Sequence, residues 1–93
     1  MNETQDPPTI VIFRCDRVKR PDIDNITAVF PEHAEGDGTW SCYVRLGQHA
    51  SCSYDWYRRT RAATPAEYAD LLAELKQIGY DNLVIRKRWP VRR

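Results

Sequence analysis

Residues 64–80 read TPAEYADLLAELKQIGY, and the fold follows from this stretch. Thr64 suits a helix N-cap, because its hydroxyl can accept a hydrogen bond from an orphan amide of the first turn. Pro65 fits the first helical position, where its missing N–H is not needed. Glu67, three residues after Thr64, can reach back to the Thr64 amide and complete a capping box. Tyr68, Leu71, Leu72, Leu75 and Ile78 recur at helical spacing as one apolar stripe, flanked by Ala69 and Ala73. Glu67, Asp70, Glu74 and Gln77 take the opposite side. Gly79 ends the helix as the residue that enters the left-handed conformation without steric cost. An amphipathic helix of this kind needs an apolar surface to cover, and the remaining periodicities supply a sheet.

Residues 9–18 predict a first strand. Ile10, Val11, Ile12 and Phe13 are β-branched or aromatic on both faces, which suits a central position under the helix. The segment 19–25, KRPDIDN, reads as a turn. Residues 26–30 form a second strand with Ile26, Ala28 and Phe30 on one face, closed by Pro31, which cannot donate to a ladder. Residues 33–39, with Gly36 and Gly38 among acidic residues, read as an exposed loop. Across 40–46, Trp40, Cys42, Val44 and Leu46 alternate with Ser41, Tyr43 and Arg45, the period of a half-buried third strand. Residues 47–61 are the least regular part, with one or two helical turns at 54–60 that direct Trp56 or Tyr57 inward. Residues 82–89 give a last strand that Pro90 terminates. The expected fold is α+β: a small, mainly antiparallel four-stranded sheet (β-β-β-α-β) with one long helix packed on one face. Residues 1–8, polar and twice proline, are expected to be a mobile tail, and 9–93 a single domain.

A chain of 93 residues suffices for one domain, and its 42% hydrophobic and 29% charged composition is that of an ordinary globular protein. No apolar run approaches the roughly 20 residues that span a bilayer, and the opening MNETQDPP has neither a basic nor an apolar signal region. A cytoplasmic location with no membrane partner is the expectation. The three cysteines, Cys15, Cys42 and Cys52, are an odd number, which argues for reduced thiols over a disulfide scaffold. A net charge of +1 says little, but its distribution is uneven. Arg58, Arg59 and Arg61 cluster, as do Arg86, Lys87, Arg88, Arg92 and Arg93, while acidic residues gather near the N-terminus, at 22–24 and at 32–37.

Three pieces, ITAVFPE at 26–32, CYVRLGQH at 42–49 and TRAATPAEYADLLAELKQIGY at 60–80, followed by LVIRKR at 83–88, stand in a characteristic order. Together they resemble a family of small uncharacterised bacterial proteins often carried on integrative and other mobile elements. That pattern reads Ser-Tyr-x-His-Val-Gly-Gln-His around the third strand. Tyr43, Gly47, Gln48 and His49 match it, whereas Arg45 stands where its first histidine is usual, so no two-histidine site carries over. The resemblance implies a cellular context and no mechanism.

The most chemical-looking stretch is Gly47-Gln48-His49. His49 could act as a general base, or Gln48 and His49 could simply cap loop backbone. No nucleophile, base and orienting group converge in the sequence. A zinc set drawn from His33, Cys42, His49 and Cys52 matches no paired-ligand spacing, so no metal and no cofactor are expected. Tyr54, Trp56 and Tyr57 beside Arg58, Arg59 and Arg61, and Trp89 within the C-terminal basic run, combine the residue types of protein interfaces and of single-stranded nucleic-acid surfaces. The chain lacks any RNP, KH or helix-turn-helix signature. The expectation is a non-enzymatic binding or accessory module acting through a protein partner, with Tyr43, Gln48, His49, Trp56, Tyr57, Arg58, Arg59 and Arg61 as binding residues. The alternatives are nucleic-acid binding through the two basic groups and a small hydrolase-like enzyme centred on His49.

Overall fold

The computed structural model describes residues 8–17, 25–36, 38–44 and 48–89. Among them the chain runs β1 (Thr9–Asp16), β2 (Ile26–Gly36), β3 (Thr39–Val44), β4 (Gln48–Ser53), α1 (Tyr54–Arg58), β5 (Thr60–Ala62), α2 (Pro65–Gln77) and β6 (Leu83–Arg86). The sheet has six strands in the order β4-β3-β2-β1-β5, with β6 also on β1. Only the β1–β6 pairing is parallel. The protein is α+β as expected, but its sheet is larger than four strands, and in place of one long helix the described residues hold two, of which α2 has only 13 residues. The expectations for the N-terminal tail, for most of the 19–25 turn, for residues 45–47 and for Pro90 to Arg93 lie outside the described residues.

Helix α2 forms as its sequence dictates. Thr64 accepts a hydrogen bond from the Glu67 amide, Glu67 accepts one from the Thr64 amide, and Pro65 opens the first turn. At the other end the Tyr80 amide bonds the Leu75 carbonyl at 3.0 Å and the Gly79 amide bonds that of Lys76 at 3.3 Å. This is a Schellman closure, and it requires the positive φ of +120° that Gly79 supplies. Leu71 and Leu75 are fully buried, and Tyr68 and Leu72 pack beside them. Ile78 corrects the predicted stripe. As the C-cap residue it turns away from the sheet and stays 49% exposed.

Pro31 does not end the second strand. The β2–β3 ladder passes from Phe30↔Ser41 to Ala34↔Trp40, so Pro31, Glu32 and His33 lie between partners that are adjacent on β3. The irregularity absorbs the missing proline donor and lets β2 continue to Gly36. The expected loop at 33–39 is therefore mostly strand, turning at Gly38 with φ +74°. Residues 48–53, expected to be irregular, form edge strand β4, and residues 60–62 form a short strand on β1. The helical turn expected around Trp56 is present as α1, capped by the Ser53 hydroxyl.

The larger correction concerns layers. The sheet is covered on both faces, not on one. Val11, Phe13, Cys15, Ile26, Ala28, Phe30 and Tyr43 face α2, where Phe13 stacks on Tyr68 at 4.3 Å and Phe30 on Tyr80 at 5.3 Å. Ile12, Val29, Cys42 and Cys52 face the other way, under Tyr57, Trp56 and Trp89. Tyr43, read from sequence as the outward residue of a half-buried strand, is thus buried in the larger core. No helix among the described residues is long and apolar enough to cross a membrane.

Candidate functional site

The face under α1 collects the aromatic and basic side chains. Strand alternation puts Arg14 on this face, between the inward-facing Phe13 and Cys15. Its guanidinium lies 4.3 Å from the centroid of the Tyr57 ring. Arg14 Nε donates to Thr60 Oγ1 at 2.8 Å, and Nη2 donates to the Thr60 carbonyl at 2.6 Å and the Tyr57 carbonyl at 3.4 Å. Thr60 Oγ1 in turn donates to the Tyr57 carbonyl at 2.7 Å. One arginine thereby fixes the exit of α1 to the start of β5. Burial pulls the Arg14 pKa below the ordinary arginine value, opposed by the neighbouring Tyr57, and burial pushes the Tyr57 hydroxyl above its own.

Around this pair the rings form a continuous cluster. Tyr54 stacks on Tyr57 at 5.5 Å, and Trp89 meets Tyr54, Tyr57 and Trp40 edge-on at 5.1, 4.9 and 4.8 Å. The Trp89 backbone also hydrogen-bonds the Tyr57 hydroxyl. Tyr57 is buried at the centre, Trp40, Trp56 and Trp89 are half-buried, and Tyr54 is 43% exposed at the rim. Arg58 and Arg59 are exposed beside it, with Arg59 paired to Asp55 at 3.5 Å.

The strands next to the two basic groups, β5 and β6, lie on one edge of β1. β6 pairs with Thr9–Ile12 and β5 with Arg14–Asp16 on the same side of β1, so Arg86 and Ala62 end up opposite Ile12 and Arg14. Alternation assigns Arg86 to the α1 face, next to Ile12. Arg61, however, turns to the other face. It makes a bidentate pair with Glu67 at 2.9 and 2.6 Å, and that hydrogen bonding raises its pKa. Arg61 is committed to the N-terminus of α2 and does not extend the basic surface of Arg58 and Arg59.

Tyr43 and His49 lie on the opposite face from the aromatic cluster. They are cross-strand partners with ring centroids 4.7 Å apart, and the Tyr43 hydroxyl donates to Glu74 of α2. Both line an open cleft of about 490 Å³ with Ile78, Gly79 and Tyr80. Gln48 begins β4 opposite Val44. Ser51 shares the His49 face by alternation, whereas Cys52 points to the other. The sheet therefore separates His49 from Cys52.

The same split disperses the zinc set. Cys42 and Cys52 face α1, His49 faces α2, and His33 lies by Phe30 at 6.0 Å. No group of three or more potential metal ligands occurs among the described residues. The two cysteines do meet, and a hydrogen bond from Cys52 to Cys42 lowers the Cys42 pKa and raises that of Cys52. Cys15 is buried under α2 on the other face.

The sequence signal for Arg14 was a lone charge inside the run IVIFRC, which a structural arginine of this kind explains. Trp40 carried no separate signal, because a tryptophan at a strand start reads equally well as core. No family model, curated protein or solved structure matches the chain.

Proposed function

We propose that the protein is a non-enzymatic binding module that engages a protein partner through the α1 face. The observation that carries this reading is the half-exposed ring cluster of Trp40, Tyr54, Tyr57 and Trp89, underpinned by Arg14 and bordered by Arg58 and Arg59. Tryptophan, tyrosine and arginine are the residues that most often dominate interface energetics, and they do so when held rigid before binding. Arg14 and the edge-on contacts of Trp89 supply that rigidity. The complementary surface is an apolar anchor flanked by carboxylates, which would meet Tyr54 and Trp89 centrally and Arg58 and Arg86 at the rim. An accessory role of this kind is compatible with the resemblance to small proteins of mobile elements.

Nucleic-acid binding is the second reading, favoured by the end-to-end approach of β5 and β6, which brings Arg86 toward the arginines of α1. The pairing of Arg59 with Asp55 and of Arg61 with Glu67 counts against it, since both charges are already partly neutralised. A photo-crosslinking amino acid at Tyr54 tests the choice in cells. The expected product is one defined protein adduct that disappears with Trp89→Ala. Oligonucleotides supply the opposing outcome. Micromolar binding at about 0.15 M salt, steeply salt-dependent and abolished by Arg58→Glu with Arg86→Glu, would overturn the protein-partner reading.

A further inference from the structure

On the α1 face, beside the aromatic cluster, β3 and β4 bring two cysteines together. Their register pairs Trp40 with Cys52 and Cys42 with Ala50, so Cys42 and Cys52 are diagonal neighbours on one face of adjacent strands. Both are buried, and both line a cleft of about 400 Å³ with Thr27, Val44, Ser51, Ser53 and Trp56. The cleft thus places two soft sulfur donors beside one indole.

Two adjacent thiols have three familiar uses, and the geometry separates them. A disulfide requires Cα atoms about 4.4–6.8 Å apart, whereas diagonal neighbours lie about 7–8 Å apart, so closure would need movement of the strands. A zinc site needs four ligands in most structural cases, and no third His, Cys, Asp or Glu joins this pair among the described residues. A two-coordinate ion asks for less. With metal–sulfur bonds near 2.3 Å, as for zinc, a linear bridge spans about 4.6 Å, and a bent one less. Cysteines at diagonal positions on one face can bring their sulfurs to that span by side-chain rotation, with the backbone in place.

We infer that Cys42 and Cys52 form a two-coordinate binding site for a soft, thiophilic cation of the Cu(I) class, which the sheet presents ready-made at its β4 edge. Soft thiolates select such ions over the harder divalent cations. The step is a proton-for-metal exchange. Each thiol releases its proton to solvent, two S–Cu bonds form, copper stays Cu(I), and the bis-thiolate centre carries one net negative charge. Trp56 lines the entrance, so its emission reports occupancy. The site does not depend on the partner surface, because the aromatic cluster centres on Tyr57 and Trp89 while the dithiol opens between β3, β4 and Trp56.

Anaerobic transfer of Cu(I) from its bicinchoninate complex to the full-length protein provides the test. The expected result is uptake of one equivalent with quenched Trp56 emission, retained in Cys15→Ala and weakened at least about a hundredfold in Cys42→Ala and in Cys52→Ala. Because a buried cysteine replacement can fail to fold, the unaltered protein supplies a second readout. Alkylation mapped by mass spectrometry should show Cu(I) protecting Cys42 and Cys52 together. Copper left on the chelator, loss of uptake in Cys15→Ala, or Zn(II) taken up as tightly as Cu(I) would each overturn the inference. So would ready closure of the pair to a disulfide by diamide in a protein that takes no copper.

Discussion

The two faces of the sheet are covered by different means. On one, a thirteen-residue helix closed at both ends lays Leu71 and Leu75 over Val11, Phe13, Ala28 and Phe30. On the other, a five-residue helix and a single tryptophan from beyond β6 cover Ile12, Val29, Cys42 and Cys52, leaving Trp56 and Trp89 half-buried. The first face is built for stability. The second is a thinner layer of rings with charge at its margin.

The largest expected effect lies on the α2 face. Leu75→Ala removes a fully buried side chain, and a truncation of that kind costs about 2–5 kcal/mol. Ile78→Ala, three residues on, should change stability by less than about 0.5 kcal/mol because Ile78 is exposed. Urea unfolding of both variants measures the contrast. Equal losses would mean that α2 does not end at Ile78 as its Schellman closure requires.

Trp89→Ala should come next, at about 1–3 kcal/mol, from lost edge-on ring contacts and partial burial on the α1 face. The same urea series reads it. A loss as large as that of Leu75→Ala would make the second face a full core and would weaken the case for a partner surface there.

This contrast also explains what the sequence disclosed. The α2 face was legible because its determinants are local: Thr64, Pro65, Glu67 and Gly79 punctuate one helix, and Leu71 and Leu75 share its stripe. Ile26, Ala28 and Phe30 were legible for the same reason, as a period of two within five residues. The α1 face was not, because it is assembled from Arg14, Trp40 and Tyr57 on β1, β3 and α1 and from Trp89 beyond β6. β4 hid behind its composition: Gln48, His49, Ala50, Ser51, Cys52 and Ser53 contain no β-branched or large apolar residue, and the strand is held by its ladder with β3. Once β4 was missed, the meeting of Cys42 with Cys52 could not be seen, nor could the separation of His49 from Cys52. Tyr43 and His49 were chosen together from sequence and are indeed neighbours. Arg61 was chosen with Arg58 and Arg59 and is not among them, since alternation along β5 sends it to Glu67.

Arg14→Lys sharpens the comparison at an intermediate scale. A lysine retains the charge but cannot stack flat on Tyr57 while donating to both Thr60 oxygens. The expected cost is about 1–2 kcal/mol, from one or two charge-assisted hydrogen bonds and a ring contact. The proton exchange of the Thr60 and Arg61 amides should accelerate as the exit of α1 loosens. Unchanged exchange would show that Arg14 is a passenger and that the ring cluster is rigid without it.

The smallest effect separates two ion pairs among the described residues, one on each face. Arg59 and Asp55 lie at i and i+4 spacing with side chains 72% and 71% exposed, so water and salt already screen their attraction. Arg59→Ala should therefore change stability by no more than about 0.5 kcal/mol, and the difference should vanish in about 1 M salt, where screening acts within about 3 Å. Arg61 makes two hydrogen bonds to Glu67, whose side chain is only 24% exposed, and Glu67 also serves the capping box. Arg61→Ala should cost more than Arg59→Ala and keep part of that cost in high salt, because it loosens the start of α2 as well as removing a charge. Two arginines of one short segment would then behave differently for a stated reason. Arg61 belongs to the fold, while Arg59, worth little to stability, remains at the rim of the ring cluster where a partner's carboxylate can displace Asp55. Equal and salt-insensitive losses in the two variants would place Arg59 in the fold as well and leave Arg58 as the arginine of α1 available to a partner.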